Sequence, residues 1–147
     1  MVVAGDICRK ITPLAPAQIA VLDSISSIVG LASDLAHAQV TVYVHTCTEK
    51  SLVIIAQVKP NTSFVHQRPQ LLGTIVSAAE EPLIWRTITT EAPIRGQREW
   101  ALGMWMEMQT YPIRDASSNV IGAVSFETNM EEARLENHQL LLETAQL

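Results

Sequence analysis

The sequence predicts an α/β protein of the α+β kind, with one central antiparallel sheet flanked by N- and C-terminal helices. Three observations carry this. An apolar stripe at intervals of three and four runs from Ala15 to Ala36, two pairs of strand-like runs are each joined by a polar turn, and a second apolar stripe closes the chain. Helical periodicity at the ends and period-two alternation between them describe helices packed on a sheet of hairpins.

The elements follow in order. Val21, Leu22, Ile25, Ile28, Val29, Ala32, Leu35 and Ala36 recur at helical spacing, and Pro13 and Pro16 suit a first turn, where a missing N–H costs nothing. From Gln39 to His45, Val40, Val42 and Val44 alternate with Thr41, Tyr43 and His45, the period of a half-buried strand. Leu52 to Lys59 reads as its hairpin partner, stopped by Pro60 and Asn61. Pro60 to Gly73 lacks a period and reads as a connecting loop, and Glu80 to Glu91 as a short helix with acidic residues at its start. After a turn-like stretch at Ala92–Gln97, Trp100 to Ile113 reads as one long strand with two different faces. The polar stretch Arg114–Asn119 turns the chain into a partner strand, Val120 to Thr128, and a helix from Glu131, capped by Thr128 or Asn129, reaches the end. One domain over residues 15–147, preceded by an extension over residues 1–14, accounts for this order.

Composition narrows the function. At 147 residues one core suffices, and 48% apolar against 17% charged residues is the balance of a folded chain. Ten basic against fifteen acidic residues leave a net charge of −5, which gives no field for collecting phosphates, so no nucleic acid partner is expected. Apolar runs such as Leu52–Ala56 are far shorter than the ~20 residues of a bilayer span, and Asp6, Arg9 and Lys10 interrupt any signal-peptide core. The expectation is a cytoplasmic protein with no membrane contact, whose two cysteines, Cys8 and Cys47, remain thiols. Cys8, His37, His45, Cys47 and His66 supply metal-ligand atom types without paired spacing, so no metal site is expected. Cys8 stands in the terminal extension and Cys47 has only His45 nearby, which is poor support for a catalytic thiol.

Between Trp100 and Tyr111 the alternation offers two faces. Leu102, Met104, Met106 and Met108 read as core, whereas Trp105, Glu107, Gln109 and Tyr111 combine ring surface with hydrogen-bonding groups and are the expected ligand-facing set. Arg95 and Arg98 fall in the preceding loop. In the last helix, Leu135, His138, Leu142 and Ala145 form one stripe, and Leu140 and Leu141 widen it. That surface exceeds what one sheet contact needs, so the terminal helices are expected to form the output and the contact of a homodimer.

The stretch EEPLIWRTITTEAPIRG, followed by TYPIRDASSNVIGAVSFET, resembles the second half of a GAF domain, with Gly122 suited to close backbone packing. With DSISSIVGLASDLAHAQVTVYV included, the chain resembles the N-terminal GAF-like sensor region of cytoplasmic bacterial histidine kinases, over about residues 15–145. The resemblance implies a non-catalytic module of a two-component system that senses a small ligand or relays conformation to kinase domains downstream in the same chain. There is no phospho-acceptor histidine box and no glycine-rich ATP lid, and none of His37, His45, His66 or His138 has an acceptor context. Among the ligands and chemistries of GAF-like proteins, bilin attachment and the cyclic-nucleotide signature find no counterpart, and no cofactor is expected. Free methionine sulfoxide reduction is the alternative, although two dispersed cysteines do not reproduce its usual cluster.

Overall fold

The computed structural model describes residues 4–60 and 71–129. The elements are α1 (Ala4–Ile11), α2 (Pro16–Ala36), β1 (Gln39–His45), β2 (Ser51–Val58), β3 (Ile75–Ser77), α3 (Pro82–Thr90), β4 (Ile94–Ala101), β5 (Met104–Arg114) and β6 (Val120–Asn129). The strands form one sheet in the order β3-β2-β1-β6-β5-β4, every neighbouring pair antiparallel. Pairing of β1 with β6 joins an N-terminal and a C-terminal group of strands, so both lie at the centre.

Helix α2 begins at Pro16, where the Ala15 N–H donates to Gln18 Oε1 at 2.9 Å, and ends at His37 in the left-handed region, with the Ala38 N–H on Ser33 O. Leu22 and Val29 are buried against the sheet, in one cluster with Val40, Val42, Val44, Val53, Ile55, Ile113 and Ile121. By length and composition this helix could also cross a membrane, a test that the core helix of a folded domain passes as well. Three apolar side chains stay outside: Ile28 is 59% exposed, Leu31 65% and Leu35 74%.

On the opposite face Tyr43, Leu52, Ile54, Met106, Met108 and Ala123 pack with Ile84 of α3. Strand β1 is therefore buried on both faces, where simple alternation predicts one: Val40, Val42 and Val44 join the α2-side cluster, while Tyr43 joins the cluster that includes Ile84 of α3. Gly122 meets the expectation of close packing: a Cβ there would lie 2.6 Å from the Tyr43 carbonyl oxygen.

Other differences have local causes. Residues 94–101, read as turn and strand start, form edge strand β4; with only one neighbour, it carries no apolar alternation to announce it. Arg95 and Arg98 accordingly stand on a strand. The long strand expected from Trp100 breaks at Leu102–Gly103, where Gly103 adopts φ 75°, and Leu102, expected in the core, is 97% exposed at that turn while Met104 is 37% exposed. Before residue 15, α1 places Ile7 and Cys8 in the α2-side cluster. The three-residue β3 follows a turn at Leu72–Gly73. The expected C-terminal helix, with Leu135, His138, Leu141, Leu142 and Ala145, lies outside the described residues.

Candidate functional site

The sheet face on which α3 packs holds a layer of buried polar side chains that runs from β5 across β6 and β1 to β2. Strand register sets Gln57 of β2 opposite Thr41 of β1, Thr41 opposite Ser125 of β6, and Ser125 opposite Thr110 of β5. An adjacent row sets Gln39 opposite Glu127 and Glu127 opposite Met108. All six polar residues are at most 4% exposed. Glu127 Oε1 accepts from Thr41 Oγ1 at 2.7 Å and from Gln39 Nε2 at 3.1 Å, while Gln57 donates from Nε2 to Thr41 Oγ1 at 3.2 Å and accepts from the Leu71 N–H at 2.6 Å.

Helix α3 is seated on this layer by specific contacts. Its start at Pro82 needs no N–H partner. A Cβ on Gly96 would lie 3.1 Å from the Leu83 methyls, so glycine lets that side chain settle on β4. Thr87, fully buried, hydrogen-bonds through Oγ1 to Thr110 Oγ1, and Thr110 also donates to Ile94 O at 3.0 Å. At the helix start Arg98 lies 3.3 Å from the buried Glu81 carboxylate and donates to Glu80 O at 3.0 Å. Within the layer, Ser125 Oγ and Gln39 Oε1 are buried and have no hydrogen-bond partner among the described residues. Buried polar atoms without partners cost roughly 1–3 kcal/mol each and call for an explanation such as a bound molecule.

The four residues expected to face a ligand share the other face of β5. Trp105 is 47% exposed and Tyr111 40%. Tyr111 packs edge-on against Phe126, with ring centroids 5.9 Å apart, and donates to Gln109 Oε1 at 3.1 Å. Glu107 pairs with Arg95. A shallow pocket of about 180 Å³ touches Gln109 and Tyr111, together with Pro93, Ile94, Arg95 and Thr110. The polar layer escaped sequence reading because its members come from four strands. The one local hint is Glu127, a carboxylate at the end of the apolar run Val120–Phe126.

Cys8 is fully buried, and desolvation, then the charge of Asp23, pushes its thiol up, leaving it a poor nucleophile. Cys47 is exposed on the β1–β2 turn. That turn, with His45, faces Trp85 and Ile88 of α3 across an open notch of about 300 Å³. Among the described residues no three His, Cys, Asp or Glu side chains are grouped to hold a metal ion.

Residues 5–145 match the family model described as histidine kinase PdtaS, GAF domain. No curated protein matches the chain. Among solved structures, the sensor region of a sensor histidine kinase aligns with a TM-score of 0.66 at 22% identity, covering 86% of this chain. The chain spans 42% of that structure's length. A transcriptional regulator from Rhodococcus sp. RHA1 aligns at 0.58 with 15% identity, over 85% of this chain and 62% of its own. The C-terminal domain of a Vibrio cholerae transcriptional regulator aligns at 0.51 with 11% identity, over 88% and 93%. At these identities the structural likenesses establish the fold alone.

Proposed function

The chain belongs to the GAF domain family of the histidine kinase PdtaS, and from that premise we propose that it is the non-catalytic sensory part of a cytoplasmic two-component kinase. It binds a small polar ligand beneath α3 and relays occupancy to kinase domains in the same chain. The observation that carries the ligand reading is the buried pair Ser125 Oγ and Gln39 Oε1 in an otherwise bonded layer. A ligand hydrogen-bonding there stabilises the closed packing of α3 on β5, since Thr87 and Thr110 link the helix to the same row.

Homodimerisation through α2 belongs to the same reading. Ile28, Leu31 and Leu35 lie three, four and seven residues apart on one side of the helix and stay in solvent in the single chain. An apolar stripe of this kind is characteristic of a helix that meets another copy. A dimeric sensor would communicate along α2 to whatever follows in each chain.

The test is autophosphorylation of the full-length protein. Removing residues 1–147 should change its kinase activity severalfold, whereas the isolated chain should neither consume ATP nor reduce free methionine sulfoxide. Kinase activity indifferent to the removal would overturn the regulatory role, and turnover by the isolated chain would overturn the non-catalytic one.

A further inference from the structure

The notch between the β1–β2 turn and α3 shares no residue with the polar layer and has features of a binding site in its own right. Its walls are the half-buried Trp85 and Ile88, three residues apart and so on one side of α3. His45, at the end of β1, also lines it, and the rim carries Cys47, Glu49 and Lys50. At about 300 Å³ the notch matches the lower end of small-molecule sites, roughly 300–1,000 Å³.

The rim is held on three sides. The Thr46 N–H donates to Ser51 O at 2.9 Å, the Cys47 N–H to Ile11 O at 3.0 Å, and the Ala78 N–H to Lys50 O at 2.9 Å. Lys50 closes the turn in the left-handed region, at φ 53°. A rim fixed in this way loses little entropy when a molecule enters.

The lining selects the kind of molecule. A tryptophan face with an isoleucine beside it offers a flat apolar wall for a ring. Burial holds the His45 imidazole below its ordinary titration range, so at neutral pH it presents one N–H donor and one bare nitrogen acceptor. Glu49 and Lys50 stand side by side on the rim and leave no net charge to attract an ion of either sign. We propose that this notch binds a small uncharged aromatic molecule, of the size of indole, with one hydrogen-bonding group directed at His45. Occupancy would reach α1 through the Cys47–Ile11 hydrogen bond, the direct tie between the rim and the N-terminal helix.

Indole serves as the probe, titrated into the isotopically labelled 147-residue chain and followed by amide shifts. Saturable shifts centred on residues 45–50 and 85–88, with smaller ones at the Ile11 end of α1, are expected, and tryptamine and indole-3-acetate should bind about tenfold more weakly, because charge must be desolvated against a neutral lining. Trp85→Ala should weaken binding about tenfold, while Trp85→Phe, which keeps a ring on the wall, should restore most of it. No saturable shift, shifts centred elsewhere, an unchanged affinity in Trp85→Ala, or a preference for either charged analogue would each overturn the proposal.

Discussion

Ser125 is the residue at which stability and function are set against each other. Its hydroxyl is buried between Thr41 and Thr110 of the neighbouring strands and finds no partner among the described residues. Removing an unsatisfied buried hydroxyl relieves its desolvation cost, so Ser125→Ala should raise stability by about 1 kcal/mol in urea unfolding. Under the proposed function, the same substitution should also abolish ligand-dependent changes in the autophosphorylation of the full-length protein. A loss of stability instead would mean that the hydroxyl is bonded in the native protein. Gln39 cannot be trimmed in the same way, because its Nε2 serves Glu127 while only its Oε1 is spare.

At the scale of elements, the β5–β6 turn shows how a local motif becomes a tertiary clasp. Asp115 accepts the backbone N–H groups of Ser117 at 2.8 Å and Asn119 at 2.9 Å, which closes the turn, and Gln18 Nε2 reaches it from α2 at 3.1 Å. These bonds, that from Gln18 foremost, hold the Asp115 carboxyl below its ordinary value of 3.8. A carboxylate with a depressed folded pKa stabilises the fold above its unfolded value and loses that contribution as pH falls through the folded one. Asp115→Asn should therefore melt earlier than the wild type at neutral pH, and the gap should close as thermal melts are taken below pH 3.8, the ordinary value. A gap independent of pH would show that shape, not charge, holds the turn.

For the whole molecule, the two covered faces of the sheet divide the work. The α2 side is an apolar core with an apolar helix surface outside it, and the α3 side joins a polar layer to a second apolar cluster around Ile84. Under the proposed function, association falls to one face and recognition to the other. Replacing Leu31 and Leu35 together by Glu should turn a sedimenting dimer into a monomer at micromolar concentration while leaving the circular dichroism spectrum unchanged, since both side chains are already in solvent in the single chain. A monomer from the unsubstituted chain, or a dimer that survives both substitutions, would remove α2 as the contact.

Local pattern was enough to identify α2, β1, β2, α3 and β6, each within about two residues of its ends, because amphipathic period and turn chemistry belong to contiguous residues. The family resemblance rested on the same contiguous stretches. Strand β4 escaped because an edge strand with one neighbour and little burial has no alternation to display. Parity placed Met106 and Met108 in the core as expected, whereas Leu102 and Met104, read as members of the same core set, are exposed at the β4–β5 turn. Which face would be covered by α3 was not encoded in that parity. The polar layer was the least legible feature. Gln57, Thr41, Ser125 and Thr110 each look like ordinary strand polar residues, and they become one buried row only when β2, β1, β6 and β5 pair in a single register. The sequence by itself determined α2, β1, β2, α3 and β6 and the family, since periodicity is a property of neighbours. Only the tertiary structure decided which polar atoms lose water, since burial is set by partners far away in sequence, as far as the 88 residues that separate Gln39 from Glu127.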